Sequence, residues 1–187
     1  MSQSGERLVV FVSLGVGGNQ RKRVSPEFER RLVAGLAKGA ALIIDSGSTA
    51  SEVAQVEAIS GELASSGVRV MEGAELPVEA PALEETDVLV WRGGIGSFAQ
   101  LVGASDMYVG YDSAGQHIAA GLERPTLTIF VNTSTPRFAD RWRATGRGPT
   151  RIVLFEEGKA PDTEVVVGRA LSAFEELREE ARLLTGS

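Results

Sequence analysis

The stretch Asp112-Ser113-Ala114-Gly115-Gln116-His117 combines a carboxylate, a hydroxyl, small residues and the chain's single histidine. It lies between an apolar strand pattern, Met107 to Tyr111, and a helical run, Ile118 to Leu122. A strand that ends in Asp and turns through small residues into a helix leaves unpaired backbone N–H groups at the helix start, where the macrodipole favours an anion. Ser113, Ala114 and Gly115 let a ligand approach the backbone, and His117, in the first turn, adds a side-chain donor to the same anion. The chemistry this suits is the binding of a phosphate or diphosphate. An ordinary strand-to-helix turn with an Asp cap is the alternative, and the hexapeptide alone does not separate the two.

The elements that must position these residues can be read from the pattern around them. Apolar runs of strand length alternate with helix-length segments along the whole chain: Leu8 to Ser13, Ala41 to Asp45, Val68 to Met71, Val88 to Trp91, Met107 to Gly110, Thr126 to Val131 and Ile152 to Phe155. That alternation predicts an α/β fold, a Rossmann-like open and mostly parallel sheet of about six or seven strands with helices on both faces, in three layers. Ser25-Pro26 opens a helix that runs to Lys38 and ends at Gly39. Ser51 to Ser65 forms another, with Val53, Val56, Ile59 and Leu63 on one face. Ser97 is expected to cap a third through Val102, and Ser113 to start a fourth. From Asp162 to the end, Val167, Leu171, Phe174, Leu177, Ala181 and Leu184 make one apolar stripe of a terminal packing helix, with ion-pair spacings from Glu175 to Arg178 and Glu179 to Arg182. Glu72 to Glu85, with two prolines and five glutamates, reads as an irregular surface excursion.

With 187 residues, 43% hydrophobic and 24% charged, the chain is expected to form one soluble domain, residues 1–187. No apolar run approaches the ~20 residues that span a bilayer, and Met1 to Glu6 lacks the character of a signal peptide, so a cytoplasmic protein is expected. The absence of cysteine removes disulfides and thiolate chemistry, and one histidine rules out a multi-histidine metal site within one chain, so no metal is expected. A net charge of −6 argues against nucleic-acid partners. Two basic clusters stand against that charge: Arg21-Lys22-Arg23, and Arg137, Arg141, Arg143, Arg147 and Arg151 around Trp142. The second stays open between a solvated surface and a segment that closes over a phosphorylated ligand.

In such sheets the ligand lies beyond the carboxyl ends of the strands. Polar or glycine-rich sequence stands there at Gly15 to Gln20, Asp45 to Thr49, Arg92 to Ser97 and Asp112 to His117. Gly15 and Gly17 with Asp45 invite a dinucleotide reading, but Gln20 replaces the third glycine and about ten residues separate the loop from its helix, unlike the direct turn of that motif. A Walker-type phosphate loop fails, because no Gly-Lys-Ser or Gly-Lys-Thr occurs.

The run from Phe98 to Thr126, with its Asp112-Ser113-Ala114-Gly115 turn, His117 and an Ala119-Ala120-Gly121-Leu122-Glu123-Arg124-Pro125 exit, resembles the donor-site signature of family 9 glycosyltransferases, the heptosyltransferase group. Arg21-Lys22-Arg23-Val24-Ser25-Pro26 is similar to that family's basic Lys-Arg-Trp-Pro element, and together these cover most of Leu8 to about Val131. The resemblance implies the C-terminal half of a two-domain GT-B enzyme, which binds a nucleotide-diphosphate-sugar of the ADP-heptose type as substrate and needs no metal. It implies that Gly17, Gly18, Lys22, Arg23, Asp112, Ser113, Ala114, Gly115 and His117 contact the donor. Lys22 and His117 would stabilise the leaving diphosphate. Ala114 stands where the family has glycine, and Glu52, three residues late after Gly47, takes the place of the ribose carboxylate. The general base belongs in the family to the N-terminal domain, and the first strand here begins at about residue 7. The chain is therefore expected to be a donor-binding module that pairs with an acceptor-binding domain or chain, self-associates weakly through an uncovered face and lacks a catalytic base of its own. The alternatives are a non-catalytic nucleotide-binding or scaffolding module and a dinucleotide-binding domain.

Overall fold

The computed structural model describes residues 7–73, 86–131, 136–155 and 162–185. Its strands are β1 (Val9–Ser13), β2 (Ala41–Asp45), β3 (Val70–Gly73), β4 (Val88–Trp91), β5 (Met107–Tyr111), β6 (Thr126–Val131) and β7 (Thr150–Phe155). All pair in parallel, in the order β3-β4-β2-β1-β5-β6-β7. The helices are α1 (Pro26–Leu36), α2 (Ala50–Ser65), α3 (Ile95–Ala104), α4 (Ala114–Gly121), α5 (Pro136–Trp142) and α6 (Thr163–Thr185), with a 3-10 turn at Gln20–Lys22. The expected α/β, three-layer, parallel architecture is what the chain adopts. Among the described residues, no helix is long and apolar enough to cross a membrane.

Strand alternation divides the core in two. Val10, Val12, Leu42, Ile44, Val109 and Ile129 point to the face covered by Phe28 and Leu32 of α1, Val56 and Ile59 of α2, and Phe174 and Leu177 of α6. Phe11, Ile43, Leu89, Trp91 and Tyr108 point to the other face, under Phe98, Leu101 and Val102 of α3 and Ala119 of α4. A parallel sheet buried on both faces has apolar side chains at both parities of each strand, hence the near-continuous apolar runs of β1, β2 and β5.

The helix starts differ from expectation in two places. Helix α2 begins at Ala50 rather than Ser51 and is capped by Thr49, through a capping box in which its hydroxyl accepts from Glu52 N and the Glu52 carboxylate accepts from Thr49 N. Ser97 does not cap α3: Gly94, extended at φ −87° and ψ 170°, occupies the cap position without a side-chain bond, and Ser97 falls in the first turn. Helix α5 was not apparent in the sequence. Of the expected excursion at 72–85, Glu72 and Gly73 belong to β3, and 74–85 lie outside the described residues. The apolar stripe of α6 stays against the core as far as Leu177, while Leu184 is exposed; both expected ion pairs form.

The order of strands fixes where a ligand can sit. From β1 the chain moves to β2 on one side, and the α3 crossover later returns it to β5 on the other. The loops leaving β1 and β5 therefore part in opposite directions and open a crevice above their carboxyl ends.

Candidate functional site

Two segments meet in that crevice, the loop after β1 and the turn from β5 into α4. Lys22 Nζ donates to Asp112 Oδ2 at 2.9 Å and to the Asp112 carbonyl oxygen at 3.0 Å. These residues are 90 apart in sequence. Asp112 N donates to Ile129 O at 3.1 Å, which ties the turn to β6 as well. Ser113 is the N-cap of α4, extended at φ −150° and ψ 178°, and its hydroxyl accepts from Gly115 N at 3.3 Å. The backbone N–H groups of Ser113 and Ala114 have no acceptor among the described residues and stand at the positive end of the α4 dipole. His117 is exposed on the first turn of the same helix.

Gly115 is required for a packing reason. A Cβ built on it falls 2.3 Å from Tyr108 Oη and 3.0 Å from Phe98 Cζ, so only glycine lets the helix start settle onto the sheet. The Tyr108 hydroxyl beneath it is fully buried, with the Ser113 and Ser13 side chains near it but no hydrogen bond of good geometry among the described residues, and burial pushes the phenol well above its ordinary value. Gly17 and Gly18, both exposed and at φ +61° and +82°, turn the β1 loop back toward Lys22.

Two expected ligand contacts are engaged elsewhere. Arg23 turns away from the crevice to Glu29 of α1: Nε lies 2.8 Å from Glu29 Oε1, and Nη2 meets Oε2. Its side chain is 11% exposed, that of Glu29 is fully buried, and this bonding holds the guanidinium above its ordinary value. Tyr111 Oη donates to Glu29 Oε1 at 3.0 Å and accepts from Val24 N at 3.2 Å. The arginine therefore anchors the loop that presents Lys22. Glu52 is likewise turned inward, accepting from Val16 N at 2.8 Å and from Ser48 N and Thr49 N at 3.0 Å. Burial alone would raise its carboxyl, but these three N–H groups outweigh it and hold the group below its ordinary value. Its oxygens tie the β1 loop to the β2 loop.

A second carboxylate, Asp45, stands at the carboxyl end of β2. It accepts from Ser13 Oγ at 3.2 Å and from Gly47 N at 3.1 Å, and desolvation raises its carboxyl above the ordinary value. Gln116, part of the hexapeptide but without an expected role, is fully buried. Its Nε2 donates to Asp112 Oδ1 at 2.7 Å and to Trp142 O at 3.2 Å. Its Oε1 accepts from Thr128 Oγ1 at 3.1 Å and from Ala144 N at 3.2 Å. No sequence signal distinguishes such a glutamine from an exposed one. Among the described residues, no cluster of three or more His, Cys, Asp or Glu side chains is placed to hold a metal ion.

An open parallel α/β domain with a helix start at its switch point is an architecture in which ligands bind beyond the carboxyl ends of the strands. The model of glycosyltransferase family 9, the heptosyltransferase family, matches residues 73–166, about half of the chain, and the chain belongs to that family. No curated protein matches it in sequence. The fold is shared with an Escherichia coli heptosyltransferase WaaC solved with ADP, at a TM-score of 0.64 and 16% identity over 91% of this chain and 44% of that one. It is shared too with the E. coli ADP-heptose lipopolysaccharide heptosyltransferase II, at a TM-score of 0.60 and 16% identity over 96% and 49% of the two chains. A family 9 glycosyltransferase from Veillonella parvula gives 0.62 and 13%, over 93% and 46%. The chain thus spans less than half the length of the structures it matches.

Proposed function

We propose that the chain is the donor half of a family 9 glycosyltransferase, a single domain that binds a nucleotide-diphosphate-sugar of the ADP-heptose type in the crevice above β1 and β5. The observation that carries this reading is the meeting of Lys22 with the Asp112–Ala114 turn, where a cation and free backbone N–H groups converge on one space. The family match and the ADP in a structure of the same fold support it.

In the transfer, the acceptor oxygen forms a bond to the anomeric carbon while the bond from that carbon to the diphosphate breaks. The electron pair leaves with the diphosphate. Charge that develops on the leaving group is met by the Ser113 and Ala114 N–H groups, the α4 dipole, Lys22 and the exposed His117. Gly17 and Gly18 let the β1 loop approach the donor, Asp112 orients Lys22, and Gly115 allows the close seat of the turn. Asp45 takes the ribose hydroxyls, with Arg23 and Glu52 holding the two loops in place rather than touching the donor. The acceptor proton passes to a carboxylate supplied by an acceptor-binding domain or chain, on the cytoplasmic side. No metal takes part in this scheme.

Isothermal calorimetry with ADP, UDP, GDP and NAD tests the reading. Saturable binding of ADP, weakened about tenfold or more by Lys22→Gln, is the expected result, because a hydrogen bond to a charged group is worth roughly 1.5–3 kcal/mol. Selective binding of NAD, or ADP binding indifferent to Lys22→Gln, would refute it.

A further inference from the structure

The surroundings of Gln116 suit an amide and no other side chain. Its Nε2 faces two acceptors, Asp112 Oδ1 at 2.7 Å and the Trp142 carbonyl oxygen at 3.2 Å. Its Oε1 faces two donors, Thr128 Oγ1 at 3.1 Å and Ala144 N at 3.2 Å. A carbonyl can only accept and a backbone N–H can only donate, so the Trp142 and Ala144 contacts fix which way the amide points. Two N–H donors and two lone pairs are its full capacity, and all are used in a fully buried position. Such a group is costly when partly satisfied and rigid when completely satisfied.

One of the four partners leads to the crevice. Asp112 gives Oδ1 to Gln116, and its Oδ2 and carbonyl oxygen accept from Lys22 Nζ at 2.9 and 3.0 Å. With one carboxylate oxygen held from beneath, the plane of the group cannot turn, and the other oxygen faces the ammonium. Lys22 is a point charge on a flexible four-carbon stem, carried by a loop, and its own rotamers do not fix its position. Its side chain is 33% exposed and that of Asp112 11%, so the fixed end of the pair is the aspartate. Without the Gln116 N–H, a nearly buried carboxylate oxygen loses a donor and turns to share the ammonium, which draws Lys22 off the space above the Asp112–Ala114 turn.

We infer that Gln116 is a positioning residue for the donor diphosphate: it acts through Asp112 to set where the Lys22 ammonium stands, with Thr128 of β6 as its support from behind. A fully buried side chain reaches no ligand, so its whole effect on binding passes through Lys22. That is the property that separates it from a residue needed only for folding. Loss of Gln116 and loss of Lys22 are the same loss to the ligand, and the two do not add. The inference rests on the donor reading.

A double-mutant cycle read by calorimetry with ADP tests this. Gln116→Met, close in length and without the amide, should weaken ADP binding about tenfold in the parent and less than twofold in a Lys22→Gln background. Circular dichroism shows whether the variant is folded. If it is not, Thr128→Val, which removes one support of the amide, takes its place, with a two- to fivefold loss expected in the parent and none in Lys22→Gln. Undiminished ADP affinity in folded Gln116→Met overturns the inference, and so does an equal loss in both backgrounds, which is what general loosening of the fold would give. A second readout needs no ligand. The ammonium signal of Lys22 in nitrogen-15 NMR, assigned by its absence in Lys22→Gln, should exchange with water at least several-fold faster in Gln116→Met or Thr128→Val. An unchanged signal overturns the clamp. If the parent itself fails to bind ADP, the donor reading fails, and the ammonium signal still decides whether Gln116 sets the position of Lys22.

Discussion

Replacing Arg23 by Met should unfold the protein more readily than its position in a surface loop suggests. Glu29 has a fully buried side chain that pairs with Arg23, through one contact from Nε at 2.8 Å and another from Nη2. In Arg23→Met the donor to that carboxylate that remains among the described residues is Tyr111 Oη, at 3.0 Å. Breaking one side of a buried ion pair costs about 3–5 kcal/mol, because the other charge stays uncompensated in a poorly polarisable surrounding. For a chain of this length each kcal/mol lowers the melting temperature by roughly 2–4 °C, so a fall of about 10–15 °C is expected. Urea denaturation followed by circular dichroism measures the free energy directly. The double substitution Arg23→Met/Glu29→Met removes both charges and should recover most of the loss, since apolar replacement of a buried pair is often neutral or stabilising. If Arg23→Met costs less than about 1 kcal/mol, or if the double variant is no better than the single one, the two side chains do not form a coupled buried pair and the argument is wrong.

Other consequences follow from neighbouring residues. Gly115→Ala forces a methyl group to within 2.3 Å of Tyr108 Oη and should destabilise by about 1–3 kcal/mol, and Tyr108→Phe, which removes the clashing oxygen, should restore part of the loss in the double variant. Glu52 has a folded-state carboxyl below its ordinary value of 4.5, so its stabilising effect is complete above that pH and disappears as pH falls through the lower folded value. Acid titration of Glu52→Gln should therefore show a shallower loss of stability below pH 4.5 than the parent. Asp45 has the opposite sign: its folded carboxyl is raised above 3.8, so its ionisation reduces stability as pH rises past that value. Asp45→Asn should be more stable at neutral pH and bind ADP more weakly, measured by thermal melting and calorimetry; unchanged ADP affinity would remove Asp45 from the ribose site.

Much of the fold was legible because parallel strands buried on both faces leave continuous apolar runs that few other structures require. All seven strands were found within two residues of their ends, and the helix after Ser25-Pro26 starts where that pair predicts. Helix ends set by backbone geometry were harder: Gly94 caps α3 without a side chain, and a serine three residues later is the more conspicuous signal. Helix α5 escaped notice because its seven residues are too few to show a period.

The candidate site was legible to the extent that it is local. The helix start after Asp112 depends on neighbouring residues, and their types describe it. The sequence by itself thus determined the parallel α/β scaffold, the strand-to-helix turn after Asp112 and the presence of cations in the first loop. The tertiary structure decided which cation faces the turn. Lys22 and Arg23 are adjacent and both cationic, and the buried Glu29 on α1, with Tyr111 at the end of β5, draws one inward and leaves the other to Asp112. It also decided that Glu52 spends its carboxylate on three backbone N–H groups, and that Gln116 clamps the Trp142 segment beside the crevice. Each of these outcomes depends on burial and on partners up to 90 positions away, and no local pattern of residue types encodes a contact made across strands that pair out of chain order.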